Sequence, residues 1–378
     1  MNLKVKEFKD VAAKILLAVN LDANAANLEL VAKGDILYLN VTNKEFFVSV
    51  RYQLDEAIDF RTVVEAKSFL TLVSGLTTET FSLEPKEGHV AIKAGKSNYK
   101  LPMIYENDQL MTLPHIVIQN KTVEMPISHD ILDSILRVNS KELQKARNSV
   151  NVSELQKLYY IDETGCFTFT TGACLNSFTL EKPVKLLLNE RIVKLFELFS
   201  SDVAFTLGQD TLSDRTVRTK ISLEADNVSV TAIINCDDLL LSKVAGPCAA
   251  SKRFIQENYE HSLVLSVNAF SAAVSRLLNL TKTTIEKANM SFVPATIYFN
   301  TEDLIIKDNY GNSEGVPIEN GSFVNVDYEM KVNLADIKLI LDSCKNEHIT
   351  LNCGNHRSIV ISRGNISNLI PELKPDFR

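Results

Sequence analysis

A helix-and-hairpin pattern that recurs three times along the 378 residues constrains this chain more than any other feature. Phe8, Val11, Ala12, Ile15, Leu16 and Val19 fall at the spacing of one face of an amphipathic helix. Roughly 120 residues on, Ile127, Ile131, Leu132, Ile135 and Val138 repeat the spacing behind Ser128, the expected N-cap. Phe270, Ala273, Val274, Leu277 and Leu278 repeat it again, with Asn268 as the expected cap. About 60 residues after each comes a second short helix, carried by Ala66, Phe69, Leu70 and Val73, by Ile192, Leu195, Phe196 and Phe199, and by Leu334, Ile337, Ile340 and Leu341.

Period-two alternation broken by a polar turn follows each second helix. It reads Thr80-Phe81-Ser82-Leu83, Glu87-Gly88 and Val90-Ala91-Ile92 in the first segment, and Val203, Phe205 and Leu207 with Asn227-Val228-Ser229-Val230 in the second. In the third it is Ile349 and Leu351 with Ile359 and Ile361. The expected organisation is three α+β domains at 1–119, 120–247 and 248–378, each built of two helix-plus-hairpin halves, with no long linker between them. Helix spacing alone leaves open a chance similarity among three α+β domains.

Composition narrows the function classes. Hydrophobic residues at 45% against 23% charged, with 13 Gly and 10 Pro, describe a chain that folds throughout. Charges interrupt the segment Met1 to Asp10, and no run of about 18 apolar residues occurs, so neither a signal peptide nor a membrane span is expected and the setting is read as cytoplasmic. Cys166, Cys174, Cys236, Cys248, Cys344 and Cys353 contain no C-x-x-C pair and are expected to be free thiols, most of them buried or half-buried. The net charge of −7 disfavours a simple basic-surface DNA binder. A local basic surface could still act, because the Debye length of about 8 Å screens remote acidic groups.

Nothing in the sequence reads as catalytic. Ala94-Gly95-Lys96-Ser97 matches the end of a phosphate-binding loop, but the first glycine of that motif would fall at Val90. The six histidines lack ligand spacing, and Cys353 with His356 has no third partner. Asp237-Asp238 is read as a solvated turn at a strand exit rather than a Mg²⁺ site. No catalytic residue, metal or cofactor is expected.

Across nearly its full length the sequence resembles the β sliding clamp of bacterial DNA polymerase III. The resemblance is carried by Val64-Glu65-Ala66-Lys67-Ser68-Phe69 through Lys96-Ser97-Asn98-Tyr99-Lys100-Leu101-Pro102, by Leu158-Tyr159-Tyr160 through Thr170-Thr171-Gly172-Ala173-Cys174-Leu175, and by Lys331-Val332-Asn333-Leu334 through Leu369-Ile370-Pro371. It implies an α+β clamp fold: three similar domains of two β-α-β-β-β units each, and a head-to-tail homodimer closing a six-domain ring with helices around the hole. The implied function is a processivity factor that encircles duplex DNA without reading sequence. Its implied partners are the polymerase, the clamp loader and other replication or repair proteins carrying clamp-binding peptides.

Each of the six helices carries a cation off its apolar face, namely Lys14, Lys67, Arg137, Lys194, Arg276 and Lys338. These form the expected DNA-facing set, although a solvated helix lysine is the usual fate of any single one. The implied peptide cleft, between the second and third domains, falls at Thr170, Gly172, Cys174, Leu175, Leu240, Val244, Leu369, Ile370 and Pro371, with ordinary core packing as the alternative for Leu175, Val244 and Ile370. Ring closure would join the strand of Lys96, Asn98 and Tyr99 to one near Tyr298, Glu302 and Asp303.

The chain departs from the family in three places. Thr170-Thr171-Gly172-Ala173-Cys174-Leu175 lacks the family's His and Arg, the C-terminus continues through Glu372-Leu373-Lys374-Pro375-Asp376-Phe377-Arg378, and Asp22-Ala23-Asn24-Ala25-Ala26-Asn27 replaces an Arg- and Pro-containing loop. These departures suggest a diverged member, of the kind a phage or mobile element would carry. A clamp-fold interaction scaffold that does not encircle DNA is the competing reading, and an enzyme such as a nucleotide hydrolase would need a carboxylate or His cluster that the sequence does not display.

Overall fold

The structure, a computed structural model, describes residues 1–138, 157–169, 172–211, 217–236, 238–284, 292–344, 346–354 and 358–373. Among them are seven α-helices: α1 Val5–Leu21, α2 Ala66–Gly75, α3 His129–Arg137, α4 Glu190–Lys194 (continued by a 3₁₀ turn at Leu195–Leu198), α5 Asp238–Ile255, α6 Val267–Thr284 and α7 Leu334–Asp342. Six follow the repeat. The seventh, α5, buries only Val244 and Cys248 among its 18 residues, too thin a stripe to register as periodicity.

Local chemistry fixes where these helices begin. The Glu65 carboxylate accepts from the N–H groups of Lys67 at 3.2 Å and Ser68 at 2.5 Å, satisfying two donors that the first turn of α2 leaves free. Ser128 Oγ accepts from Ile131 N at 3.4 Å, and Asp202 Oδ1 accepts from His129 N at 2.8 Å. Asn268 is not the cap of α6: strand His261–Ser266 runs directly into the helix, so Ser266 Oγ takes the Ala269 N–H at 3.4 Å and Asn268 lies inside the first turn. Asp238 likewise opens α5 rather than sitting in a strand-exit turn, while Asp237 lies outside the described residues.

The chain packs as two compact units, residues 1–133 with 191–235 and residues 134–190 with 236–378. The first holds a four-stranded sheet, in the order Asn2–Lys4, Thr80–Lys86, His89–Ala94, Ser97–Pro102. It also holds an eight-stranded sheet, in the order Lys121–Ile127, Val203–Thr211, Val217–Ala225, Val228–Ile234, Phe46–Gln53, Ile36–Thr42, Asn27–Lys33, Phe60–Glu65. The paired strands are antiparallel. α1 and α2 pack together over this core. At its centre Phe8 meets Tyr52, Phe69 and Phe81 edge-on, with ring centroids 5.3, 6.1 and 5.3 Å away.

The eight-stranded sheet contains a seam. Val228 stands opposite Val50 and Ala232 opposite Phe46, so a hairpin of the second repeat continues the sheet of the first. The other unit uses the same device, with Ala173 opposite Leu369 and Asn176 opposite Ile366 inside a nine-stranded sheet. A four-stranded sheet completes that unit, and α6 and α7 pack together over a core that includes Phe270, Phe299, Leu334 and Ile340. The fold is therefore α+β, with helices laid on antiparallel sheets.

Candidate functional site

Beside the Ala173–Leu369 seam lies a cavity of about 550 Å³. The sheet contributes Ala173, Ser358, Leu369, Ile370 and Pro371, the residues flanking its strands contribute Phe169 and Gly172, and α5 contributes Pro247, Ala250, Ser251 and Phe254. The four helical residues fall at i, i+3, i+4 and i+7 and so form one face of α5. Gly172 is required where it stands. A Cβ there would lie 2.1 Å from the Leu369 carbonyl oxygen and 3.3 Å from Ile370 Cα, so a side chain would force the two strands apart. Ser251 and Ser358 supply the hydroxyls in a wall otherwise made of apolar side chains and glycine. Such a wall suits a short apolar segment of a partner, oriented by a few hydrogen bonds.

Of the residues assigned to a cleft from the sequence, the structure brings Gly172, Leu369, Ile370 and Pro371 together around this cavity. Leu175 and Val244 lie in the packed cluster under α5 with Tyr160, Phe167, Leu187 and Cys248, and Leu240 packs against that cluster. Strand alternation sends the fully buried Cys174 to the opposite face from Ala173 and Leu175. Thr170 lies outside the described residues. The α5 wall escaped the sequence reading. Its signal, Pro247-x-x-Ala250-Ser251-x-x-Phe254, has helical spacing but is made of small residues and a proline, which do not read as an apolar stripe.

The six helix cations have different surroundings. Lys67 and Arg137 are exposed. Lys14 Nζ donates to Asn227 Oδ1 at 3.0 Å, and Lys194 is half-buried at the end of α4. Arg276 forks onto Glu314, with Nε and Nη2 each 2.7 Å from a carboxylate oxygen, and the hydrogen-bonded guanidinium holds the Glu314 carboxyl below its ordinary range. Lys338 pairs with Asp342 one turn on and donates to Ser271 Oγ at 3.4 Å. The formal charges of Arg276 and Lys338 are thus largely balanced within the fold.

For ring closure, Asn98 and Tyr99 lie on the edge strand Ser97–Pro102, and Lys96 lies in the turn before it. Tyr298 is on an inner strand, its hydroxyl donating to Asp327 at 2.8 Å. Glu302 occupies a turn and Asp303 begins the second strand of that sheet, whose edges are Ser313–Pro317 and Tyr328–Asn333.

No group of three or more His, Cys, Asp or Glu able to hold a metal occurs among the described residues. The six cysteines are thiols rather than disulfides. Burial pushes Cys248 and Cys353 up to about 12, the reverse of the shift that activates a nucleophile, and His356 lies outside the described residues. No described helix is long and apolar enough to cross a membrane.

Comparison with solved structures gives the fold a name. The chain superposes on the DNA polymerase III subunit beta of Pseudomonas aeruginosa with a TM-score of 0.75 at 15% identity, covering 99% of both chains. It matches the Helicobacter pylori beta clamp bound to a DNA ligase peptide with a TM-score of 0.70 at 15% identity, again over 99% of both. The DNA polymerase sliding clamp of Bacillus subtilis gives 0.71 at 14% identity, over 99% of this chain and 98% of the other. No protein-family model and no curated protein sequence matches the chain. The chain has the sliding-clamp fold.

Proposed function

We propose that this chain is a DNA sliding clamp. Two copies join head to tail into a ring of six domains, with limits at 1–119, 120–247 and 248–378 in each chain, and the ring encircles duplex DNA and tethers a polymerase and other partners. The observation that carries this reading is the end-to-end likeness to clamps, 99% of both chains at a TM-score of 0.75. In this reading the chain does no covalent chemistry and needs no cofactor. Lys14, Lys67, Arg137, Lys194, Arg276 and Lys338 face DNA and attract phosphates without reading bases, and retention comes from topology. The cavity at Gly172, Leu369 and Phe254 takes a short hydrophobic peptide from polymerase, loader or repair protein, a role supported by the similar H. pylori clamp, which was solved bound to a DNA ligase peptide. The ring closes through the edge strand of Asn98 and Tyr99, with Lys96 beside it, against the sheet that contains Tyr298, Glu302 and Asp303.

Sedimentation equilibrium together with retention on nicked-circular and linearised DNA, in the presence of a cognate loader, tests this reading. A dimer of about 84 kDa, twice the 42.2 kDa chain, that stays on circles and slides off linear ends is the expected result. The pairing of Arg276 with Glu314 and of Lys338 with Asp342, in a chain of net charge −7, favours a second reading, a clamp-fold interaction scaffold that does not encircle DNA. A monomer that binds apolar peptides and shows no dependence on DNA topology with an active loader would decide for the scaffold.

A further inference from the structure

Residues 111–120 join strand Gln109–Leu110 to strand Lys121–Ile127 without regular structure, yet they are fastened along their length. Their partners stand on strands to both sides of the seam between Phe46–Gln53 and Val228–Ile234, with Glu29, Phe47 and Arg61 on the first side and Gly208, Asp210 and Lys220 on the second. On one side Arg61 donates from Nη2 to the Met111 carbonyl at 2.6 Å. His115 Nε2 lies 3.0 Å from Glu29 Oε2, and the His115 ring sits 4.5 Å from that of Phe47. On the other side Lys220 Nζ donates to the Val117 carbonyl at 2.6 Å, and Asp210 Oδ1 accepts from the N–H groups of Gln119 and Asn120 at 3.1 Å each.

The two carboxylates are built into the sheet. Glu29 is 2% and Asp210 4% exposed, the first bonded to Arg61 at 2.8 Å and Asn40 at 3.0 Å, the second paired with Lys220. Shape agrees with charge: a Cβ on Gly208 would meet Ile118 Cγ2 at 2.2 Å and the Asn120 carbonyl oxygen at 2.6 Å, so the segment lies flat only because position 208 is glycine. The seam strands are distant in sequence, and their pairing costs loop-closure entropy. A segment tied to both flanks offsets part of that cost by holding them in register.

We propose that residues 111–120 form a strap that keeps the seam closed, with Glu29 and Asp210 as its two anchors, so that freeing either end loosens the seam as well as the strap. The fold alone carries this proposal, whatever the chain encircles. Hydrogen–deuterium exchange on the full chain tests it with Glu29→Gln, Asp210→Asn, His115→Ala and Gly208→Ala. His115→Ala leaves Glu29 bonded to Arg61 and Asn40, and Gly208→Ala keeps both carboxylates, so these two variants serve if the charge variants fail to fold. The expected result is exchange at least tenfold faster in 111–120 and in residues 46–50 and 228–232, with α1 unchanged. A loosened strap over an unchanged seam would overturn the proposal, as would an equal rise in the seam and α1 in every folded variant.

Discussion

The backbone of Gly172 lies so close to the Leu369 carbonyl oxygen that a Cβ on residue 172 would be 2.1 Å from it. This approach sets the wall of the cavity, because strands Ala173–Ser177 and Ile366–Pro371 meet there.

Gly172→Ala should separate those strands at the cavity rim. The expected cost is about 1–3 kcal/mol of stability, the usual penalty of overpacking, with at least a tenfold weaker hold on a short apolar peptide. Thermal unfolding and titration calorimetry with such a peptide would measure both. Unchanged peptide affinity in a folded variant would remove the cavity as the docking place.

Lys67 is exposed whereas Arg276 is forked onto Glu314, and this difference is measurable. If these helices face duplex DNA, Lys67→Gln should lower the slope of log affinity against log salt by about 1. Arg276→Gln should lower it by less, and Glu314→Gln should strengthen binding at low salt. Fluorescence anisotropy of labelled duplex across a salt series reads all three, and equal slope losses for Lys67→Gln and Arg276→Gln would contradict the pairing.

Phe8 is fully buried against three aromatic rings and joins α1 to α2 and the sheets beneath. Phe8→Ala should cost about 3–5 kcal/mol, the range for removing a core aromatic. Urea unfolding should show a lower midpoint, and a loss below about 1 kcal/mol would mean that the neighbouring rings close the void.

His261 should make the fold acid-sensitive. Its ring is fully buried in a three-ring cluster with Phe299 and Tyr328, whose centroids are 5.3 and 5.0 Å away, and Nδ1 accepts from Asn325 N at 3.3 Å. Burial lowers its pKa from the ordinary 6.5, with Glu260 opposing, so the folded state prefers the neutral ring. The unfolded chain therefore binds a proton first: the stability linked to His261 is fully present above about 6.5 and is lost as pH falls through the depressed folded value. The urea midpoint measured from pH 7.5 to 5 should fall more steeply for the wild type than for His261→Phe, and parallel curves would refute the assignment.

Much of the fold was legible in the sequence because burial imposes a period on the chain. Phe8, Phe69, Phe270 and Ile337 are fully buried where helical spacing puts them, and the strand residues Phe81, Val230 and Ile361 are buried where alternation does. The cap of α6 is not legible locally, because Ser266 and Asn268 are both good cap residues two positions apart and only the run of strand into helix selects the serine. α5 was invisible because its cavity face is made of Pro247, Ala250, Ser251 and Phe254.

The candidate site divides along the same line. The sequence by itself determined which residues are buried and that the pattern comes three times, and its resemblance to clamps pointed to Gly172 and Leu369–Pro371. Only the tertiary structure decided what stands opposite each residue: that Gly172 meets the Leu369 carbonyl, that Arg276 is neutralised by Glu314 on a strand 38 residues away, and that His115 ends on Glu29. A period along the chain records burial, whereas pairing across space depends on strand register and side-chain reach, which no local pattern encodes.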